Sequence, residues 1–261
     1  MIVDTHCHVH DTVFADVHEV VRVAASHAVW GAVGVGCDAD TNARTLAAAA
    51  AMPKAVWACL GFHPEWLHLT DDDLRAVERQ VAEHHGRIVG LGEIGLPWYA
   101  LDNAEDPRAI ADRGRARLER LLALAARYDL AVSLHAPHGA AAVALHALRR
   151  HDVERAVFHW HKAPDAVTRA IVDAGYFVSV TPEVVYRERD RDLVESVPLE
   201  SLVVETDAPW KYRGEFSALP SGPWLAARVA EEVAKIKRLP VDDAAYQLTT
   251  NASRLFHLCW T

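Results

Sequence analysis

The chain has 261 residues, 51% hydrophobic and 24% charged, which excludes a disordered polymer and suits one α/β barrel over the whole of 1–261. A net charge of −9 argues against a broad basic groove for nucleic acid, although a bound cation would supply positive charge locally. Cys7, Cys37, Cys59 and Cys259 form no CxxC pair, no signal-peptide pattern opens the chain, and no stretch approaches about 20 apolar residues, so the expectation is a cytoplasmic protein with no membrane span and no obligate protein partner.

Strand and helix patterns alternate throughout. Residues 1–5 read as a buried strand, 16–27 as a helix, 30–36 as a second strand and 40–52 as an Ala-rich helix closed by Pro53. Residues 55–62 form a third strand that ends in His63-Pro64. Thr70 then caps a helix with Asp71, Asp72 and Asp73 in its first turn, where the helix dipole favours acids. Residues 87–91 are a fourth strand ending in Gly92-Glu93, and 106–128 the longest helix. Residues 130–134 make a fifth strand before His135, and 155–158 a sixth before His159, with helices over 139–150 and 164–174. A seventh strand (176–180), a polar helix (184–196) and an eighth strand (199–205) lead to Thr206-Asp207. Helices over 224–237 and 241–256 close the chain, with a separate turn possible at 251–256. Eight strands, each followed by helix at about 30 residues per unit, predict a (β/α)8 TIM barrel with one extra C-terminal helix. A doubly wound sheet fits less well, because no GxGxxG follows the first strand.

Active sites of such barrels gather at the C-terminal ends of the strands. Those ends here carry His6, His8, His63, Glu93, His135, His159 and Asp207, all metal-ligand or proton-carrying types. His6 and His8, two apart, project to one face, and Asp4 shares their parity as a candidate to orient them. Leaving His63 aside, four imidazoles and two carboxylates exceed one tetrahedral ion and suit two ions with Glu93 as bridge. His6, His8 and Asp207 would complete one, and His135 and His159 the other. Mixed N and O donors favour Zn²⁺, Mn²⁺, Fe²⁺, Co²⁺ or Ni²⁺, with Mg²⁺ where open positions face water and phosphate. Two ions about 3.5–4 Å apart would activate a shared water. Asp207 is the candidate general base, and His63 is placed to bind substrate or protonate a leaving group. Glu205 shares the face of Asp207 and is placed to orient a histidine. His161 shares the parity of His159 and rivals it, whereas Cys7 points away and reads as packing. Trp98, Trp160 and Trp210 flank the site loops, as base platforms or as loop packing.

With these residues assembled, the chain resembles the TatD family of metal-dependent hydrolases. The carrying motifs are Asp4-Thr5-His6-Cys7-His8, Gly61-Phe62-His63-Pro64, Gly92-Glu93-Ile94-Gly95-Leu96, Phe158-His159, Glu205-Thr206-Asp207-Ala208-Pro209 and Asn251. The resemblance implies a (β/α)8 fold and a hydrolase with His6, His8, Glu93, His135, His159 and Asp207 as metal ligands and His63 lining the site. Family members are described as deoxyribonucleases, often trimming 3′ ends. Three departures mark a divergent branch. Pro97 stands where the family has Asp, Ala136-Pro137-His138 replaces a segment with Arg, and Trp160-His161-Lys162-Ala163 replaces x-Phe-Ser-Gly. The missing Arg would have forked a phosphate, leaving Lys162, His138, Lys211 or Arg213 to supply charge. Lys162 and His138 join His63 as candidate substrate-binding residues.

The leading expectation is a two-metal phosphodiesterase acting on DNA ends. A carbon–nitrogen or lactone hydrolase of the wider amidohydrolase type is the alternative. Those barrels also begin with His-x-His, but many bridge their metals with a modified Lys where this chain has Glu93. A binding protein on a retired barrel is the third reading, and the intact donor set argues against it.

Overall fold

The protein is represented by a computed structural model that describes residues 1–258, so Cys259 lies outside the described residues. Eight parallel strands lie in chain order: β1 Ile2–Cys7, β2 Val29–Val35, β3 Val56–Leu60, β4 Gly90–Gly95, β5 Ala131–His135, β6 Ala156–Phe158, β7 Phe177–Val180 and β8 Leu202–Val204. The ring closes through the segment just after β8: Cys7 bridges Ala208, Asp207 N donates to His6 O at 2.9 Å, and His8 N donates to Ala208 O at 2.8 Å. This is the expected (β/α)8 barrel. The helices are α1 Val17–Ser26, α2 Ala39–Ala51, α3 Asp71–His84, α4 Pro107–Tyr128, α5 Ala140–Arg150, α6 Asp165–Asp173, α7 Glu188–Ser196, α8 Leu225–Lys237 and the extra α9 Val241–Phe256.

Parallel strands covered on both faces read as continuous apolar runs, which is why they are legible in this sequence. Their outer faces pack against the helices in one large cluster that includes Leu60, Leu91, Leu134, Leu122 and Val229. A second cluster takes Val3, Val33, Cys59, Ala131, Val157, Phe177 and Val203 from seven strands and joins them to Leu255 and Phe256 of α9. The extra helix thus plugs the end of the barrel opposite the site. Thr70 caps α3 as expected, and Asp16, Asp38 and Asp106 likewise cap α1, α2 and α4 by accepting backbone N–H bonds.

Several boundaries differ from expectation. Strand β4 is not residues 87–91 but Gly90–Gly95, so Glu93 lies inside it and β1 likewise runs on through His6 to Cys7. Glycine makes the close approach at the barrel top possible: a Cβ on Gly61 would stand 2.0 Å from Gly36 O and 2.3 Å from Glu93 N. The expected helix over 184–196 divides into a 3-10 turn, Pro182–Val185, and α7, because Thr181 caps the turn and Arg187 is extended. The expected strand over 199–205 begins with a 3-10 turn, Leu199–Ser201. No separate turn forms at 251–256; α9 is continuous, and Asn251 serves β8 through its side chain instead. Its Nδ2 donates to Leu199 O and Leu202 O, each at 2.7 Å, and its Oδ1 accepts from Gln247. Among the described residues no helix is long and apolar enough to cross a membrane.

Asn251 is wholly buried, so Asn251→Ala removes both side-chain bonds to the entry of β8 and leaves Leu199 O and Leu202 O without that donor. The expected cost is about 2–4 kcal/mol, a fall of roughly 5–12 °C in Tm for a chain of this size, read by calorimetry.

Candidate metal centre

Strand β1 delivers His6, fully buried, and the residue just beyond it, His8. The Nδ1 of His6 pairs with Ser133 Oγ at 3.0 Å, which turns Nε2 inward, and its ring stacks on His159 at 3.9 Å. His6 Nε2 lies 3.5 Å from Glu93 Oε2 and 3.6 Å from Asp207 Oδ1. His8 Nε2 lies 3.7 Å and 3.2 Å from the same two oxygens. A tetrahedral ion with donors at about 2.1 Å has an edge of about 3.4 Å, which these distances bracket. His6 Nε2 and Asp207 Oδ1 are moreover buried polar atoms without a hydrogen-bond partner. Orphaned donors of this kind need an occupant. The four groups therefore fit a divalent cation.

The other oxygen of Glu93 faces the opposite way. Glu93 Oε1 lies 2.8 Å from His135 Nδ1 and 2.9 Å from His159 Nε2, both hydrogen-bond lengths. His159 is held from behind, its Nδ1 3.2 Å from Glu205 Oε1, which also accepts from Trp160 N at 2.7 Å. His63, on the loop after β3, brings Nε2 to 3.3 Å from Glu93 Oε2. All seven strand-end residues named from the sequence thus converge on one carboxylate or its neighbour Asp207.

Charge follows from this packing. Burial alone would raise the Glu93 pKa, but the charges of His63 and His159 and hydrogen bonds from His135 and His159 hold it well below the usual range. Burial would lower His159, yet Glu93 and Glu205 push it well above an ordinary histidine. His6 goes the other way, lowered by its burial and by His159. Without a cation the carboxylates are balanced by protons on imidazoles.

Other expectations resolve differently. Asp4 does not touch either imidazole: Oδ1 accepts from His6 N at 3.1 Å and Thr206 N at 3.0 Å, and Oδ2 from Thr206 Oγ1 at 2.5 Å. It stitches β1 to the segment after β8 and so positions backbone. His161 is separated from His159 by the positive φ of Trp160, +39°, and pairs with Thr168 Oγ1 at 2.8 Å, away from the centre. Burial brings its pKa down to about 4. Cys7 is buried packing, as its parity suggested. A cavity of about 1180 Å³ opens over the centre and is lined by Trp160, Trp210, Lys162, Lys211, Arg44 and Arg187, among others. Trp210 is 55% exposed and meets Trp160 edge-on at 5.3 Å, and Lys162 Nζ sits 3.9 Å from the Trp160 ring centroid. His138 lines the neighbouring cleft, against Trp98, and neither residue lines the cavity over the centre; nor does Arg213.

Four neighbours of the centre escaped sequence reasoning. Ser133 lies two residues before His135 on β5, a parity signal available in the sequence. Cys37 brings Sγ to 3.7 Å from His8 Nδ1. Arg187 reaches the cavity from a loop with no motif. Glu65, two residues after His63, accepts from Trp98 N, Tyr99 N and Ala100 N at 2.8, 3.1 and 2.8 Å and lies 3.1 Å from His135 Nε2.

Titrating divalent ion into chelator-treated protein should raise Tm by several degrees, as about 2.7 kcal/mol of linkage accrues at a hundredfold excess over Kd. Because His159 starts with a raised pKa, binding should expel protons, and affinity should fall as pH is lowered. Calorimetric titration in buffers of different ionisation enthalpy reads both. Glu93→Gln should abolish most of the Tm gain.

A family model described as TatD related DNase matches residues 3–257. The chain is 33% identical over 261 residues to the metal-dependent hydrolase YjjV of Escherichia coli K12, with 98% of each covered. It is 28% identical over 258 residues to a metal-dependent hydrolase of Haemophilus influenzae, covering 99% of this chain and all of that one. It is also 27% identical over 266 residues to human deoxyribonuclease TATDN3, covering 98% and 94%. The crystal structure of YjjV superposes with a TM-score of 0.87 at 31% identity, over 99% of this chain and 98% of that one.

Proposed function

Since the chain belongs to the TatD-related DNase family of metal-dependent hydrolases, we propose that it cleaves phosphodiester bonds in DNA, preferentially near an end, with two divalent ions shared by Glu93. The observation that carries this reading is the division of Glu93: Oε2 faces His6 and His8, and Oε1 faces His135 and His159. A carboxylate disposed in this way suits a bridge between His6, His8 and Asp207 on one side and His135 and His159 on the other. Ions bound there, of the Zn²⁺, Mn²⁺, Fe²⁺, Co²⁺, Ni²⁺ or Mg²⁺ kind, would supply Lewis acidity toward a phosphoryl oxygen and would lower the pKa of water.

The chain's own residues account for the rest. In the cleavage, water oxygen forms a bond to phosphorus, the bond to the departing sugar oxygen breaks, and the products are a phosphomonoester and an alcohol. Asp207 takes the proton of the attacking water on its carboxylate. His63, with Nε2 at the rim of the centre, returns a proton to the leaving oxygen. Lys162 offers a cation to the phosphate beside the one cleaved, in place of the family's arginine. Trp210, exposed beside Trp160, offers a face on which a base can stack.

Metal-loaded protein should hydrolyse a bis-aryl phosphodiester and single-stranded DNA, and Glu93→Gln should lose at least a hundredfold in kcat/KM on both. Cleavage of only a cyclic amide or a lactone would replace this proposal with the amidohydrolase alternative. Trp210→Ala should raise KM for single-stranded DNA about tenfold, in line with about 1–3 kcal/mol per stacked base, and leave the aryl substrate nearly unaffected. Lys162→Met should reduce the salt dependence of DNA binding by about one phosphate contact.

A further inference from the structure

The Glu65 carboxylate gathers three backbone donors beside the centre. It comes from the loop after β3, reaches across to the loop after β4, and ends against a histidine of β5. Its Oε1 accepts from Trp98 N and Tyr99 N at 2.8 and 3.1 Å, and its Oε2 accepts from Ala100 N at 2.8 Å. Three successive backbone donors thus converge on it at the start of the 3-10 turn Tyr99–Leu101. Such a cradle leaves the carboxylate little freedom to move. The same Oε1 lies 3.1 Å from His135 Nε2, while His135 Nδ1 lies 2.8 Å from Glu93 Oε1. The imidazole is therefore clasped between two carboxylates, one at the core of the centre and one fixed by a loop.

We propose that Glu65 is the positioning residue of His135: it accepts the Nε2 proton and so fixes the tautomer whose Nδ1 is the nitrogen offered to the second ion. A neutral imidazole carries one proton, and the nitrogen that keeps it is set by the better acceptor behind it. With Nδ1 and Glu93 both turned to the ion, Glu65 is the acceptor left to the imidazole, and its three backbone donors already hold it in place. The turn over residues 98–100 is the price of that fixity, because its three N–H groups are committed to the same carboxylate. Tyr99, which lines the cavity over the centre, is thereby tied to the state of His135. The loop after β4 and the second ion become one unit, with Glu65 as the joint.

This inference rests on the proposed role of His135 as a donor to the second ion, and the test separates the two. The full chain is titrated with Zn²⁺ or Mn²⁺ as wild type, Glu65→Gln and His135→Ala. Nitrogen-15 chemical shifts of the His135 ring are read in Zn²⁺-loaded wild type. The expected spectrum has the proton on Nε2 and none on Nδ1. Glu65→Gln keeps the size of the side chain but opposes an amide donor to a backbone donor or to His135. It should weaken the second ion about 10–100-fold and leave the first within about twofold. It should lower kcat more than it changes KM. His135→Ala should lose the second ion outright. If His135→Ala keeps two ions at wild-type affinity, the assignment of His135 fails, and with it the premise. If His135→Ala loses the second ion but wild type carries the proton on Nδ1, or Glu65→Gln binds both ions like wild type, the role of Glu65 is overturned. The spectrum is taken on unmodified protein, so that arm of the test does not depend on how well a variant folds.

Discussion

One buried carboxylate organises the top of this barrel. Glu93 is 2% exposed and inside a strand, a position where an ionised acid without partners would cost several kcal/mol. It is tolerated because imidazoles from β1, β5, β6 and the loop after β3 approach its two oxygens at 2.8–3.7 Å. Those imidazoles can meet only if the strand tops crowd together, and the glycine at 61, against Gly36 O and Glu93 N, permits that crowding. The two-sided site, with one oxygen of Glu93 to each histidine pair, is thus a property of barrel closure as much as of the residues themselves.

Around this core stands a layer of acids that do different work. Glu205 backs His159 and also receives Trp160 N, so it fixes both the histidine and the turn after β6. Glu65 does the same for His135 and the turn after β4. Asp4 touches no imidazole but ties β1 to Thr206, which sets the spacing between His6 and Asp207. In each case one carboxylate joins a strand or its histidine to the loop that must sit over it. The carboxylates that face the histidines favour a cation at the centre and agree with the acidic balance of the chain, −9 overall.

Much of the architecture was legible because buried parallel strands and amphipathic helices differ in period and length. Strand-end histidines and acids then stood out by topology alone, and the structure brings every one of them together. What escaped detection depended on backbone geometry or on contacts between distant loops. Gly92-Glu93-Ile94-Gly95 carries the composition of a turn, yet packing against β5 makes it strand. His159 and His161 share parity, and only the left-handed backbone at Trp160 sends one inward and the other toward Thr168. Residues 251–256 could start a separate turn by sequence, but the Asn251 side chain finds β8 while its backbone stays helical. Glu65 sat beside a noticed histidine, but nothing local says that it reaches a loop more than thirty residues on.

The departures from the family pattern can be understood together. The loop after β4 lacks the usual acid, and Pro97 there packs close to Gly114 of α4, where a Cβ would lie 2.4 Å from Pro97 Cδ. Glu65 enters from the preceding loop and supplies a carboxylate to that same turn. The loop after β5 lacks the usual arginine, and the cations lining the cavity come instead from α2, the loops after β6 and β8, and the stretch before α7: Arg44, Lys162, Lys211 and Arg187. Arg187 is already engaged by Glu183 Oε1 at 2.6 Å, whereas Lys162 rests on the Trp160 ring. On the proposed function, the phosphate that flanks the cleaved bond is therefore met from the β6 side, where Trp160 and Trp210 also stand. On that reading the carboxylate of Glu65 enters from the loop after β3 and the cation of Lys162 from the loop after β6, one on either side of the β4 and β5 strand ends.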